Sequence, residues 1–142
     1  MSDQRRTTSK TTVFNIEHVQ ISCGNHEIPT ATVRLSNTEG KLMTDASTGT
    51  GPVDAVCKAI DRIVQESNVL TEFRVGSVTE GIDAIGDVTI RIEKDGNTYV
   101  GRGSDTDIIV ASAKAYMNAL NRLLSIKNSQ GIGPSKDIAQ LS

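Results

Sequence analysis

The sequence contains no tryptophan, and aromatic residues make up only 3% of its 142 residues. Proteins that bind single-stranded nucleic acids stack the bases on aromatic side chains, which this chain can supply at few positions. Its 15 basic and 17 acidic residues leave a net charge of -2, whereas a surface that binds duplexes needs a strong positive excess. We therefore expect no nucleic-acid partner.

Long hydrophobic runs are also absent. No stretch reaches the roughly 18 apolar residues that a membrane-spanning helix needs, so we expect no membrane association. The polar start MSDQRRTTSK lacks the apolar segment of a secretory signal. The two cysteines, Cys23 and Cys57, are too few for a disulfide framework in a chain of this length. We expect both to be reduced and the protein to be cytoplasmic.

Motifs for catalysis and metal binding are scarce as well. Neither the nucleophile motif Gly-x-Ser-x-Gly nor the phosphate-binding motif GxxxxGK[ST] occurs. His18 and His26 have no carboxylates at a spacing that would complete a zinc site. Asp105 and Asp107 are more typical of a helix cap than of magnesium ligands. We expect no catalytic residue, no metal and no cofactor in this chain.

The sequence does contain one pattern of elements twice, at residues 13–68 and 69–127. Each copy predicts three strands followed by a helix. The strands are predicted at 13–22, 30–36, 41–47, 70–79, 86–93 and 97–100, and the helices begin at Pro52 and directly after Gly103. This predicts an α+β fold of two pseudo-symmetric βββα units, with helices packed on antiparallel sheets around one core. Residues 1–12 predict a disordered lead, and residues 128–142 a flexible tail.

Alternation of apolar residues assigns the predicted core. The side chains expected on the inner faces of the second and fifth strands are Ala31, Val33, Leu35, Val88, Ile90 and Ile92. Asp95-Gly96 predicts a two-residue hairpin turn between the last two strands. In both helices, apolar residues recur at steps of three and four, which is typical of a helix with one buried face.

Two glycine motifs stand at matching places in the repeat, Gly49-Thr50-Gly51 and Gly101-Arg102-Gly103. Each is predicted to end a third strand directly before a helix. The first amides of a helix are unpaired and favour an anion, and glycine lets a ligand approach the backbone. A carboxylate or phosphate site is therefore predicted at Gly49, Gly51, Pro52, Val53 and Asp54, and at Gly103, Ser104 and Asp105. The alternative is a tight turn that only begins a helix. A dinucleotide fold is rejected, because Asp54 stands where its third glycine belongs.

Three segments, in this order, resemble the C-terminal regulatory domain of 2-isopropylmalate synthase, which citramalate synthase also carries. They are GTGPVDA (49–55), TEGIDAIGDV (79–88) and DTDIIVASAKAYMNALN (105–121). The resemblance implies two βββα units that form a homodimer and bind an end-product amino acid near the dimer interface. It also implies a partner, the catalytic TIM-barrel domain, which condenses acetyl-CoA with a 2-oxo acid on a divalent metal. This chain is too short for such a barrel and lacks its His-x-His pair.

The resemblance also implies where the effector binds. The positions that match the family's pocket are Leu70, Phe73, Ser77 and Ala84, together with Gly103, Ser104 and Asp105. The effector's carboxylate suits the helix start at 51–54, and its ammonium group suits Asp54 or Asp105. Leu70 and Phe73 are an odd number of residues apart, so a regular strand would place them on opposite faces. A β-bulge, or a position at the start of the strand, would reconcile them.

These implications lead to the hypothesis that the chain binds leucine for feedback inhibition of leucine biosynthesis. By itself it would be no enzyme, but the regulatory part of an acyltransferase that joins acetyl-CoA to 2-oxoisovalerate. One alternative is the isoleucine-sensing domain of citramalate synthase, because one methyl position changes binding by only about 1–3 kcal/mol. Another is a dimerisation module that binds no ligand. A third is a stand-alone enzyme that acts on a small molecule.

Overall fold

The structure is a computed structural model, and it describes residues 14–22, 28–77 and 85–132. The elements in chain order are β1 (Asn15–Ser22), β2 (Thr30–Ser36), β3 (Leu42–Thr48), α1 (Pro52–Val64), β4 (Val69–Ser77), β5 (Gly86–Lys94), β6 (Asn97–Asp105) and α2 (Ile108–Ile132). The predicted lead at residues 1–12 and the end of the chain from residue 133 lie outside the described residues. Residues 128–132, which we assigned to the tail, belong to α2.

The six strands form two antiparallel sheets of three, in the orders β1-β2-β3 and β4-β5-β6. Helix α1 packs on β2 and β3, helix α2 packs on β5 and β6, and the two helices contact each other. This confirms the predicted α+β fold of two βββα units. Neither helix is both long and apolar enough to cross a membrane, as far as the described residues show.

The apolar alternation of the two central strands defines the core, as predicted. All six inner-face residues are fully buried: Ala31, Val33, Leu35, Val88, Ile90 and Ile92. The hairpin at Asp95-Gly96 is also confirmed, because both residues have positive φ, at 54° and 81°. Positive φ at both central positions is the geometry of a type I′ turn, which matches the twist of the strands on either side.

The third strand of the second copy is longer than predicted. We expected it to end at Val100 and the helix to begin after Gly103, but β6 continues to Asp105 and α2 begins at Ile108. Gly101 and Gly103 are therefore strand residues, paired with Ile90 and Val88 of β5. The prediction that they form a turn at a helix start is wrong.

These two glycines serve the contact between β6 and α2. A Cβ at Gly101 would lie 2.1 Å from the Ala115 oxygen and 2.3 Å from the Ala119 nitrogen, and one at Gly103 would lie 2.4 Å from the Ala111 oxygen. All of these are backbone atoms, so the helix backbone lies directly on the strand. Only glycine fits at these two positions, because α2 fills the space that a side chain would need.

We predict that Gly101→Ala destabilises the chain by about 1–3 kcal/mol, because the new methyl group must displace the backbone of α2. The matched control is Gly76→Ala in β4, where a Cβ would meet nothing within 4 Å. Urea unfolding of both variants measures the difference. Equal free energies of unfolding for the two variants would show that α2 can move away from β6 without loss of stability.

Candidate functional site

The start of α1 is built as the sequence predicts. Gly51 is its N-cap, Pro52 follows, and no side-chain hydrogen bond caps the helix. Gly49 lies so close to the helix that a Cβ there would stand 2.4 Å from the Ala55 nitrogen. The first amides of α1 lack a side-chain acceptor, so they are suited to an anion such as a carboxylate.

Asp54, in the first turn of α1, already has partners. Its Oδ2 accepts a hydrogen bond from the Thr50 amide at 2.9 Å and lies 3.1 Å from Lys58 Nζ. The amide hydrogen bond, with that of Lys58, holds the pKa of the Asp54 carboxyl below its usual value. An ammonium group bound here would share the carboxylate with these donors, so the role of Asp54 as its partner stays a prediction.

The start of α2 differs, so the predicted pair of matching glycine turns is not formed. Residues 105–107 precede α2 as residues 49–51 precede α1, and they place Asp105 and Asp107 where the first copy has glycine. Asp107 Oδ1 accepts a hydrogen bond from the Ile109 amide at 2.8 Å and so caps the helix. A carboxylate of the chain itself thus occupies the place where an anion would bind.

The other predicted residues at this helix start also have partners. Asp105 Oδ1 accepts from the Asp107 amide at 3.0 Å, and Oδ2 lies 3.0 Å from Lys114 Nζ. These hydrogen bonds lower the pKa of the Asp105 carboxyl. Ser104 Oγ donates to Asp87 Oδ1 at 3.1 Å on the outer face of the sheet. Asp105 and Ser104 therefore contribute to the local structure whether or not a ligand binds.

One cavity, of about 360 Å³, has the predicted residues Gly103 and Ser104 in its wall. The rest of the wall is formed mainly by Phe14, Ile16, Arg102, Lys114, Met117 and Asn118. Its two cations are paired with carboxylates, because Arg102 lies 3.2 Å from Asp87 and Lys114 contacts Asp105. An anionic ligand in this cavity would share these two cations with the carboxylates of the chain.

The apolar residues of β4 provide the most exposed feature of the predicted site. The pairing of β4 with β5 shifts between Leu70 and Glu72, which is the β-bulge that we gave as one explanation of the spacing. Leu70 therefore pairs with Ile92 and Phe73 with Ile90, so both share the inner face. Val75, opposite the buried Val88, continues the row. We call Leu70, Phe73 and Val75 the β4 row; they are 40%, 42% and 47% exposed.

The β4 row ends near the start of α2. Ser77 pairs with Gly86, and Gly86 pairs with Asp105. The Ile108 side chain covers Gly86, because a Cβ there would lie 2.1 Å from Ile108 Cδ1. Ser77 and Asp105 are thus brought to the same end of the sheet, as the predicted pocket requires. Ala84 lies outside the described residues.

The predicted residues form two groups on different repeats. Gly49–Asp54 lie where β3 meets α1, whereas Leu70, Phe73, Ser77 and 103–105 belong to the second sheet. No hydrogen bond or ion pair links the two groups among the residues that the structure describes. A ligand that used both groups would have to reach from one repeat to another.

Comparison with known proteins identifies the family. The matching family model is described as the LeuA allosteric (dimerisation) domain, and the match covers residues 1–124. The chain belongs to this family. It is 61% identical over 110 residues to the 2-isopropylmalate synthase of Microcystis aeruginosa, which covers 78% of this chain and 21% of that protein. It is 51% identical over 129 residues to that of Prochlorococcus marinus strain NATL1A, which covers 91% and 24%.

The match to the 2-isopropylmalate synthase of Gloeobacter violaceus is of the same kind, with 58% identity over 78% of this chain and 20% of that protein. The chain thus spans between a fifth and a quarter of the length of these relatives. The resemblance inferred from the three sequence segments is confirmed. In the relatives, this region accompanies a much longer remainder that the chain does not include.

A partly buried polar cluster in this LeuA domain escaped the sequence analysis. The Tyr116 hydroxyl on α2 donates to Asp61 Oδ1 on α1, and Asn68 Nδ2 donates to the same hydroxyl at 3.1 Å. Burial raises the pKa of the Asp61 carboxyl and outweighs the hydrogen bond from Tyr116, which lowers it. The apolar period of α2 includes Tyr116, so by itself it predicts a core residue there. The signal that we missed is Asp61, an acidic residue directly after the buried Ile60.

Two further contacts tie other parts of the domain to α2. Asn121 Oδ1 accepts from the Phe14 amide at 2.9 Å, and Asn121 Nδ2 donates to the Phe14 carbonyl at 2.9 Å. Lys127 Nζ lies 2.9 Å from the buried Glu66, which also pairs with Lys94. The segments that lead into β1 and β4 are therefore both held by side chains of α2.

Cys57 offers little reactivity. It is a free, buried thiol, and burial raises its pKa to about 12, so it stays protonated. Cys23 and His26 lie outside the described residues. Within the part of the chain that is described, no three side chains of histidine, cysteine, aspartate or glutamate gather as a metal site would require.

We predict that Tyr116→Phe destabilises the folded chain by about 1–3 kcal/mol at pH 7, because it leaves the half-buried Asp61 carboxylate without its donor. Burial raises the pKa of the Asp61 carboxyl in the folded state. As the pH falls, Asp61 therefore becomes protonated in the folded chain before it does in the unfolded chain. The loss should therefore shrink at about pH 4.

Urea unfolding at both pH values provides the measurement, and Tyr99→Phe, at a half-buried tyrosine of β6, is the control. The control should change stability by less than about 0.5 kcal/mol. A loss in Tyr116→Phe that is independent of pH would contradict a role for the hydroxyl as donor to a charged Asp61.

Proposed function

We propose that this chain is the feedback-sensing part of a 2-isopropylmalate synthase and that its effector is leucine. The main observation in support is the β4 row, because it offers an exposed apolar surface at positions where the family resemblance implies a pocket. The names of the relatives support the assignment to the leucine branch. By itself the chain would catalyse no reaction.

The β4 row suits a branched aliphatic side chain. Leu70 and Phe73 lie on one face because of the bulge, and each is less than half exposed, so a ligand placed there would touch side chains that are already partly immobilised. Burying a leucine side chain contributes about 1.5–3 kcal/mol. That gain is enough to distinguish leucine from a small or polar amino acid.

The polar ends of the effector would use different groups. Its carboxylate suits the amides at the start of α1, which have no side-chain cap. For its ammonium group, Asp105 is better placed than Asp54, because Asp105 lies at the end of the sheet that carries the β4 row. A ligand that contacts both the start of α1 and the β4 row would join the two repeats, either within one chain or between two chains.

Feedback inhibition would follow from a difference in affinity. We propose that the rest of the parent protein condenses acetyl-CoA with 2-oxoisovalerate, and that this domain packs differently against it when leucine is bound. A coupling of about 1–3 kcal/mol between the two sites is typical of such systems. Leucine can shift the enzyme only by as much as it prefers one of the two states.

Two alternatives make different predictions about the ligand. An isoleucine sensor of a citramalate synthase would use the same apolar row, and the names of the relatives are the argument against it. A dimerisation module without a ligand would explain the β4 row as an interface alone. It would leave the uncapped start of α1 without a binding role.

Titration calorimetry of the 142-residue chain with leucine, isoleucine and valine tests the proposal. We expect saturable binding that is tightest for leucine. Leu70→Ala should weaken it about tenfold to a hundredfold, because the ligand loses apolar contact. The matched control is Leu42→Ala, at a leucine of β3 that is 56% exposed.

The possible failures point to different conclusions. Tighter binding of isoleucine would assign the chain to the citramalate branch. No heat with any of the three amino acids, together with a melting temperature that none of them raises, would reject the sensor and favour the ligand-free module, since a ligand of the native state must stabilise it. An equal loss in both leucine variants would place the pocket away from β4.

A further inference from the structure

Helix α2 carries positive charges and no acidic residue to balance them. It contains Lys114, Arg122 and Lys127 but neither aspartate nor glutamate, although the chain as a whole has a net charge of -2. Two of the three cations pair with carboxylates of other segments, Lys114 with Asp105 and Lys127 with Glu66. Arg122 is exposed, and within the described part of the chain it forms no ion pair or hydrogen bond. Its charge is therefore available to a ligand.

Arg122 lies in a cavity beside the free edge of β6. The cavity has a volume of about 570 Å³, and its wall is formed by five residues: Val100, Gly101, Arg102, Asn118 and Arg122. The wall thus contains two guanidinium groups and no carboxylate. Arg102 Nη2 lies 3.2 Å from Asp87, but the Arg102 side chain is 70% exposed. The other N–H donors of this guanidinium can therefore reach a ligand as well.

The edge of β6 that borders the cavity is closed to another strand. Asn118 Nδ2 donates to the Arg102 carbonyl at 2.6 Å, and Lys114 Nζ donates to the Ser104 carbonyl at 3.5 Å. The two spacings match, because four residues of a helix rise about 6 Å and two residues of a strand about 6.6 Å. An incoming strand would need both carbonyls as acceptors. Since α2 already occupies them, we expect a small ligand here and no added strand.

The same edge still offers backbone donors. In an antiparallel strand, the N–H and C=O of one residue point to the same side, so the Arg102 amide points outward with its carbonyl. Val100, two residues earlier and opposite Arg91, faces the same way. No acceptor among the described groups is bonded to either amide. Together with the two guanidinium groups, these amides make the cavity rich in donors, which suits an anion.

We propose that this cavity binds the phosphate group of a small molecule. Guanidinium groups bind phosphate through parallel hydrogen bonds, and a phosphate monoester carries nearly two negative charges at pH 7. It therefore matches Arg102 and Arg122 better than a carboxylate with one charge. The volume is that of a small-molecule site and leaves room for more than the phosphate itself. A nucleobase would find no aromatic side chain to stack on in this wall.

Nuclear magnetic resonance of the 142-residue chain tests the proposal by titration with inorganic phosphate, glycerol 3-phosphate and acetate. The ionic strength is held constant, because salt screens exposed charges. We expect saturable shifts of the Val100, Arg102 and Arg122 amides with both phosphate compounds, and weaker binding of acetate. Tighter binding of glycerol 3-phosphate would identify the ligand as a phosphate monoester, and tighter binding of inorganic phosphate would identify it as the free ion.

Arg122→Gln should raise the dissociation constant for the phosphate compounds about tenfold, because the ligand loses a charge-assisted hydrogen bond. Arg122→Lys keeps the charge but not the planar group, so its effect should be smaller. The matched control is Arg34→Gln at an exposed arginine of β2. It removes the same charge outside the cavity and should leave phosphate binding unchanged.

Three results would overturn the proposal. They are shifts that do not saturate, acetate that binds as tightly as phosphate, and an equal loss of binding in Arg122→Gln and Arg34→Gln. If Arg122→Gln does not fold, Arg122→Lys with undiminished phosphate affinity would reject the site in its place. None of the five lining residues is assigned to the effector, so leucine calorimetry should give the same result with and without Arg122→Gln.

Discussion

The structure depends on the direct contact between the backbones of β6 and α2. Gly101 and Gly103 allow that contact because they leave no side chain between the strand and the backbone atoms of Ala111, Ala115 and Ala119. Helix α2 is thereby held over β6 and the adjacent β5 and does not reach β4. The open inner face of β4, on which the proposed function rests, is a consequence of where the helix is held.

Polar contacts then fix the rest of the domain to the same helix. Asn121 holds the backbone of Phe14 at the start of β1, and Tyr116 connects Asp61 of α1 with Asn68 before β4. A buried polar cluster is costly unless its members are paired, so each of these contacts selects one arrangement of the repeats. Helix α2 thus joins two units that would each bury too little apolar surface alone.

Much of the fold could be predicted, because it follows from local patterns. The inner faces of β2 and β5, the type I′ hairpin and the start of α1 at Pro52 all depend on residues within a few positions of one another. The bulge in β4 could be deduced only as one explanation of the odd spacing of Leu70 and Phe73. Leu70 and Phe73 of the apolar row could be named on the strength of family resemblance, but Val75 could not, and no local pattern shows that the row is exposed.

The sequence by itself determined the repeated order of elements, the residues of the central strands and the family. It did so because period, turn chemistry and segment identity are properties of neighbouring residues. Only the tertiary structure decided that Gly101 and Gly103 lie in a strand and that Asp107, not a ligand, caps α2. It also decided that β4 is bare while β1 is covered. Each of these depends on where a distant helix lies, and local sequence carries no measure of that distance.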